Sequence, residues 1–88
     1  MKKYNVALSN AGGIFDEHNG FASIAAALEF ATGRGGSYTI QIDAGQAANG
    51  KYVCIGYNDD DGIFIHRDAW DDVEIPRDTI AEYISRYV

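Results

Sequence analysis

Carboxylate side chains are the reactive groups that this sequence concentrates most. Seven of its 13 Asp and Glu residues fall between Asp59 and Glu74, where Arg67 is the only Lys or Arg. The stretch Asn58–Gly62 reads NDDDG, but aligning its glycine with the invariant glycine of an EF-hand loop leaves Tyr57 at the first ligand position. We therefore expect no calcium loop. Three interpretations stay open: a weak adventitious cation site, a solvated hairpin turn, and an acidic patch that faces a basic surface.

Covalent catalysis would need a nucleophile, a base and an orienting group brought together. Cys54, His66 and Asp68 supply these types on paper, but Cys54 and His66 fall in predicted strands and nothing in the sequence lowers the pKa of the thiol. The soft metal ligands are His18, Cys54 and His66, and no two of them have the spacing of a zinc site. The sequence therefore gives no support to enzyme activity, and it predicts no dedicated metal site and no cofactor.

The glycine-rich stretch Gly33–Gly36, with the sequence GRGG, follows a predicted helix. Phosphate-binding loops place their glycines before a helix, where free backbone N–H groups point at the anion. RGG elements that bind RNA act in multiple disordered copies, and this chain has a single copy. Helix termination is the favoured interpretation, because glycine adopts the left-handed conformation at a helix end without strain.

Composition limits the class of protein. A chain of 88 residues is expected to form one domain, residues 1–88, and its 47% hydrophobic content argues against disorder. Its net charge of −6 opposes direct binding of nucleic acid and favours a basic protein surface as partner. A single cysteine fits a reducing compartment, and no apolar run is long enough for a signal peptide or a membrane span. We expect a soluble cytoplasmic protein that binds no membrane.

Alternation of apolar and polar residues predicts strands at Tyr4–Ser9, Tyr38–Asp43 and on both sides of Asn58–Gly62. Two helices are predicted from 3.6-residue periodicity. Their apolar stripes are Ile24, Ala27, Leu28 and Ala31, with Ser23 as N-cap, and Ile80, Tyr83, Ile84 and Tyr87. The predicted order β-α-β-β-β-α gives an α+β fold, in which two helices pack on one face of a largely antiparallel sheet.

The remaining segments are less patterned. Asn10–Gly20 is interpreted as a loop or loose ribbon, and extra short strands near Ile14 and Val73 stay open. Asn58–Gly62 is expected to be a five-residue hairpin loop with Tyr57 opposite Ile63. Phe30 either reaches a second packing layer or remains partly exposed.

Tyr52 and Phe64 are predicted to lie on the sheet face that the helices leave uncovered. Aromatic residues bordered by polar groups are typical of interface anchors. The alternative is that the Asn10–Gly20 loop or Trp70, the only tryptophan, covers them.

The NDDDG turn, the segment DAWDDVE and the alternating strands YNVALS and YTIQID belong to a short acidic chain. In size, charge and element order, this chain resembles the small phage-encoded anti-CRISPR and antirestriction proteins. The resemblance implies a phage-encoded inhibitor that occludes the basic DNA-binding surface of a bacterial defence effector. The acids here cluster in one region, which favours local occlusion over extended DNA mimicry.

Two hypotheses follow from the sequence. The first is such an inhibitor, bound to a basic surface of a protein or nucleoprotein complex, which would include a CRISPR effector. The second is a cellular binding or regulatory module that forms a homodimer through the open sheet face. The predicted partner-binding residues are Tyr52, Asp59, Asp60, Asp61, Phe64, Asp68, Trp70, Asp71 and Asp72.

Overall fold

Alternating apolar residues build the centre of the sheet. In this computed structural model, which describes residues 3–60, 62–68, 71–74, 77–86 and 88, the described elements are six strands, two α-helices and a 3-10 turn. They are β1 (Tyr4–Asn10), β2 (Gly13–Phe21), α1 (Ile24–Ala31), β3 (Tyr38–Asp43), the 3-10 turn (Ala47–Asn49), β4 (Tyr52–Asn58), β5 (Gly62–Asp68), β6 (Asp71–Glu74) and α2 (Arg77–Ser85). For residues 47, 64–68, 71–74 and 77–79 the description covers the backbone alone.

The strands form one antiparallel sheet in the order β2-β1-β3-β4-β5-β6. The predicted α+β class is confirmed, with both helices on one face. β1 and β3 pair antiparallel, so the start of the chain is not the parallel crossover that a bare β-α-β unit would give. The reason is β2, which reverses the chain direction before α1 begins.

The core lies between the sheet and the two helices. Its members alternate along the central strands, as predicted, and include α1 residues Ala27, Leu28 and Ala31 and α2 residues Ile80 and Ile84. Burial of these side chains is the main stabilising contribution, at about 25 cal/mol per Å² of apolar surface. The sheet residues of the core are Val6, Leu8, Tyr38, Ile40, Ile42, Val53, Ile55 and Ile63.

Helix α1 begins at the predicted N-cap, but its end differs from the prediction. The Ser23 hydroxyl accepts a hydrogen bond from the Ala26 backbone N–H (3.1 Å), which supplies one partner that the first helical turn lacks. At the other end, Thr32 is the C-cap and its hydroxyl donates a hydrogen bond of 2.8 Å to the Leu28 carbonyl, whereas the left-handed φ angles of 76° and 92° come later, at Gly35 and Gly36. The helix therefore ends before the GRGG stretch and without a left-handed glycine cap, and the stretch forms the loop that follows the helix.

The segment Asn10–Gly20 is not a loop, which corrects that prediction. Ala11 and Gly12 form a tight turn, and β2 then pairs with β1 as an edge strand of nine residues. Its sequence, GIFDEHNGF, lacks regular alternation because the strand is mostly exposed and its register contains two irregularities. The extra strands considered near Ile14 and Val73 both exist, as β2 and β6.

The hairpin between β4 and β5 is tighter than predicted. Tyr57 pairs with Ile63 as expected, but Asn58 also pairs with Gly62, so three residues rather than five connect the strands. One of them, Asp61, lies outside the described residues.

Candidate protein-binding surface at the turn end of the sheet

The β1–β2 turn, the start of β3 and the β4–β5 turn all lie at one end of the sheet, which we call the turn end. The opposite end carries Tyr4, Asp43 and Tyr52. This division follows from the antiparallel register alone. It decides which of the predicted binding residues can share one surface.

The acidic residues of the sequence cluster are spread along β5 and β6 from one end of the sheet to the other. Asp59 and Asp60 lie in the β4–β5 turn, at the turn end. Asp68, the last residue of β5, pairs with Asp71, the first residue of β6, at the opposite end of the sheet. Between these two ends, Asp72 pairs with His66 and Glu74 pairs with Phe64, so the backbone positions of the acids extend over the roughly 20 Å length of β5. Trp70 lies outside the described residues.

Two of the acids at the turn end are exposed and held in a defined position. The Asp59 Oδ2 atom accepts a hydrogen bond of 2.7 Å from the Gly36 backbone N–H. The Asp60 backbone N–H donates to Asn58 Oδ1 at 3.0 Å, which closes the start of the turn. The turn is therefore fixed to the loop that follows α1, and its carboxylates face solvent.

Three aromatic rings pack against one another at the turn end of the sheet. The rings of Tyr38 and Tyr57 lie 5.1 Å apart, and the Phe15 ring meets Tyr38 edge-on at 5.7 Å. The Tyr38 hydroxyl donates a hydrogen bond of 2.5 Å to the Ala31 carbonyl. Desolvation by burial raises the pKa of Tyr38, so its hydroxyl keeps the proton that this bond requires.

A second contact group ties β2 to α1. The Asp16 carboxylate pairs with the Arg34 guanidinium, which also lies 5.1 Å from the centre of the Phe30 ring. Phe30 packs further on Phe21 at 5.4 Å and on the His18 ring at 5.6 Å. Phe30 is half-buried, so it reaches a second packing layer and also remains partly exposed, which were the two outcomes that the sequence left open.

The sheet face opposite the helices carries small and polar side chains. Register places Ala7, Gln41 and Cys54 side by side across three strands, with Asn5, Asp43 and Tyr52 in the row at the opposite end. Tyr52 is 43% exposed, as expected for an aromatic residue on the uncovered face. Phe64 pairs with Gly56 in the backbone register, and its side chain lies outside the description.

Asn5 and Asp43 organise the opposite end of the sheet. Asn5 Nδ2 donates a hydrogen bond of 3.0 Å to Asp43 Oδ1, and Asn5 Oδ1 accepts one of 3.2 Å from the Gly20 N–H. The same Asp43 oxygen accepts 2.7 Å from the Gly45 N–H. These bonds satisfy the carboxylate of Asp43, which is buried at the end of β3. Asp43 therefore has a structural role.

The described residues do not strengthen the interpretation of Cys54, His66 and Asp68 as a catalytic group, which the sequence already disfavoured. Desolvation raises the pKa of the Cys54 thiol although the residue is exposed, which keeps it in the less nucleophilic protonated form at neutral pH. The side chains of His66 and Asp68 lie outside the description. Among the described residues, no group of three or more His, Cys, Asp or Glu is arranged to hold a metal ion.

Ile14 and Phe15 form an exposed apolar pair that the sequence did not identify as a candidate for binding. They are 64% and 47% exposed at the start of β2, close to the turn end. The available signal is an apolar pair between glycines and acids, which is compatible with a short strand or with side chains that hold a loop in place.

Comparison with known proteins adds no constraint. The chain matches no protein-family model, no curated protein and no solved structure. Within the described part of the chain, no helix has the length and apolar character to span a membrane.

Proposed function

We propose that this protein is a small acidic inhibitor, encoded by a phage or mobile element, that binds a basic nucleic-acid-binding surface of a bacterial defence effector. The observation that supports this most is the acidic turn, whose exposed Asp59 and Asp60 are held in place by the bond from Gly36. A preorganised turn loses little conformational entropy on binding. Its charges also steer association with a basic surface.

Local occlusion suits the observed distribution of charge better than DNA mimicry does. The described acids of the cluster lie in the β4–β5 turn and along β5 and β6 at one edge of the sheet, so they do not line the whole molecule as they would in an extended DNA mimic. A turn at one end of a small domain can instead enter a basic groove and exclude nucleic acid. Such an inhibitor would act in the host bacterial cytoplasm, with no cofactor.

A charge-reversal pair tests the proposal. Asp60→Lys places a positive charge on the exposed turn, and Glu29→Lys makes the same change on the exposed surface of α1. Asp60 is preferred to Asp59 because Asp59 also holds the turn. Asp16 is unsuitable as a control because it pairs with Arg34.

The three tagged proteins, wild type and both variants, are used to capture partners from bacterial lysate, with identification by mass spectrometry. We expect a nucleic-acid-binding protein to be retained by the wild type and by Glu29→Lys, lost from Asp60→Lys, and displaced by duplex DNA. Equal retention by Asp60→Lys and Glu29→Lys would overturn the role of the turn. A partner that holds DNA and this protein together would overturn occlusion.

The uncovered sheet face favours a second candidate, a binding module that forms a homodimer. Tyr52 is exposed there next to small side chains that allow close approach of a second sheet. Sedimentation equilibrium of the wild type and Tyr52→Lys separates the candidates. A dimer that Tyr52→Lys dissociates would support the homodimer, and a monomeric wild type at high micromolar concentration would exclude it.

A further inference from the structure

Ile14 and Phe15 form an exposed apolar pair, which we call the apolar corner. Among the large apolar side chains that the structure describes, only these two and Tyr52 are strongly exposed. The corner lies at the start of edge strand β2, directly after the β1–β2 turn. Exposed apolar groups bordered by polar residues are typical of interaction sites.

The backbone of β2 presents the two side chains on both sides of the sheet edge. Ile14 pairs with Ser9, and strand alternation places it on the face away from the helices. The register then shifts between Leu8 and Ser9, so Phe15 is the extra residue of a bulge. The Phe15 ring contacts Tyr38 on the helix side, and about half of it faces solvent.

Edge strand β2 is not expected to bind a partner by adding a further strand through backbone hydrogen bonds. The register of β2 is irregular at two places, and Asp16 and Glu17 follow the apolar corner directly. Bulges and charges on an edge strand oppose the addition of a further strand. The corner is therefore available for contacts through its side chains.

The charge around the apolar corner indicates its occupant. Phe15 contacts Tyr38, which pairs with Tyr57 next to the β4–β5 turn, so the corner and the acidic turn lie at the same end of the sheet. A second copy of the chain would bring another net charge of −6 to the same place. A basic partner is attracted instead, and its apolar part would cover Ile14.

We propose that the apolar corner and the acidic turn are one docking surface for a protein that carries an apolar recess bordered by Lys and Arg side chains. This inference rests on the proposed function and specifies the partner of the same end of the sheet. The acids supply attraction, and the corner supplies the apolar contact that selects among basic surfaces.

Two synthetic peptides test the inference without knowledge of the natural partner. They have equal length and equal numbers of Lys and Arg, with Leu and Trp at the other positions of one peptide and Ser and Gly in the other. Binding is followed by backbone amide shifts in NMR titrations of the wild-type protein. We expect the apolar basic peptide to bind about tenfold more tightly, since burial of an Ile side chain supplies a factor of that order. The largest shifts are expected at residues 14, 15, 59 and 60.

Ile14→Ser is the decisive variant, because its side chain is mostly in solvent and its loss should leave the melting temperature unchanged. It should weaken the apolar peptide about tenfold and leave the other peptide unaffected. Tyr52→Ser removes the third strongly exposed apolar side chain, at the opposite end, and both affinities should stay at the wild-type value if Ile14 supplies the apolar contact.

Three other results would overturn the inference, and each would point to a different conclusion. Equal affinity for the two peptides, unchanged in Ile14→Ser, would reject the apolar corner and leave the acidic turn as the binding site. Loss of affinity in Tyr52→Ser but not in Ile14→Ser would place the apolar contact at the opposite end. Failure of both peptides to bind would reject the proposed attraction to basic surfaces together with the corner.

Discussion

Asp59 and Gly36, 23 residues apart in the chain, are joined by a hydrogen bond of 2.7 Å between the carboxylate Oδ2 and the backbone N–H. This bond gives one acid of the NDDDG turn a structural role in addition to its charge. It connects the β4–β5 hairpin to the end of α1, two elements that approach each other only in the folded chain. The turn is consequently both part of the fold and the surface that we propose for binding.

Asp59→Ala should therefore destabilise the protein by about 1 kcal/mol, because the Gly36 N–H loses a charged acceptor at the surface. Asp60→Ala, on the same turn, should stay within about 0.5 kcal/mol of the wild type. Urea unfolding of both variants, followed by circular dichroism, measures the difference. Equal midpoints for the two variants would show that the bond to Gly36 contributes nothing to stability.

Helix α2 should be essential for the fold. Ile84 is 0% exposed, and cutting it to Ala should cost about 2–4 kcal/mol, a large share of the ~5–10 kcal/mol expected for so small a domain. Glu82→Ala removes only the exposed pair with Arg86 and should cost about 0.5 kcal/mol or less. Thermal unfolding compares them, and an unchanged melting temperature for Ile84→Ala would contradict the docking of α2.

Tyr38 should make stability fall at high pH. Burial raises its pKa in the folded state, so above about pH 10 the unfolded chain releases this proton while the folded chain keeps it. The contribution is complete below pH 10 and is lost as the pH rises through the raised value. Tyr38→Phe should cost about 1 kcal/mol at neutral pH and show a shallower decline above pH 10.

Tyr52→Phe is the matched control for Tyr38→Phe, since Tyr52 is exposed and lies at the other end of the sheet. Urea unfolding at several pH values between 8 and 11 is the measurement. An identical pH dependence in the wild type and in Tyr38→Phe would show that Tyr38 does not titrate differently on folding.

Cys54 should react slowly for an exposed thiol. Desolvation raises its pKa, so the folded protein holds less thiolate at pH 7.5 than the unfolded chain does. Alkylation by iodoacetamide, followed by mass spectrometry, should be slower in the native protein than in urea, and it should accelerate as the pH rises. Faster alkylation of the native protein would indicate an activated thiol.

The free protein should bind neither duplex DNA nor RNA. Its net charge of −6 opposes contact with phosphates, and affinity for nucleic acid depends on Lys and Arg that neutralise them. Fluorescence anisotropy at low salt is the most sensitive condition for this test. Tight binding that weakens with added salt would contradict the proposed mode of inhibition.

The sequence by itself determined the elements that carry a strong local signal. Alternation in Tyr38–Asp43 predicted both the strand and its buried face, because residues two apart point to the same side of a sheet. Ser23 marked the start of α1, since its hydroxyl satisfies a backbone group within the same turn. The pairing of Tyr57 with Ile63 was also predicted, from the position of the turn between two apolar runs.

Tertiary structure alone decided the edge strand and the layout of the candidate site. β2 lacks an alternating pattern because it is a mostly exposed edge strand. Its residues form a strand because they pair with β1, and their own sequence pattern does not specify this. The antiparallel register spread acids that are close in sequence along β5 and β6, and it placed Phe15 at the same end of the sheet as Asp59, 44 positions away along the chain. Such proximity follows from the pairing of distant strands, which no local pattern records.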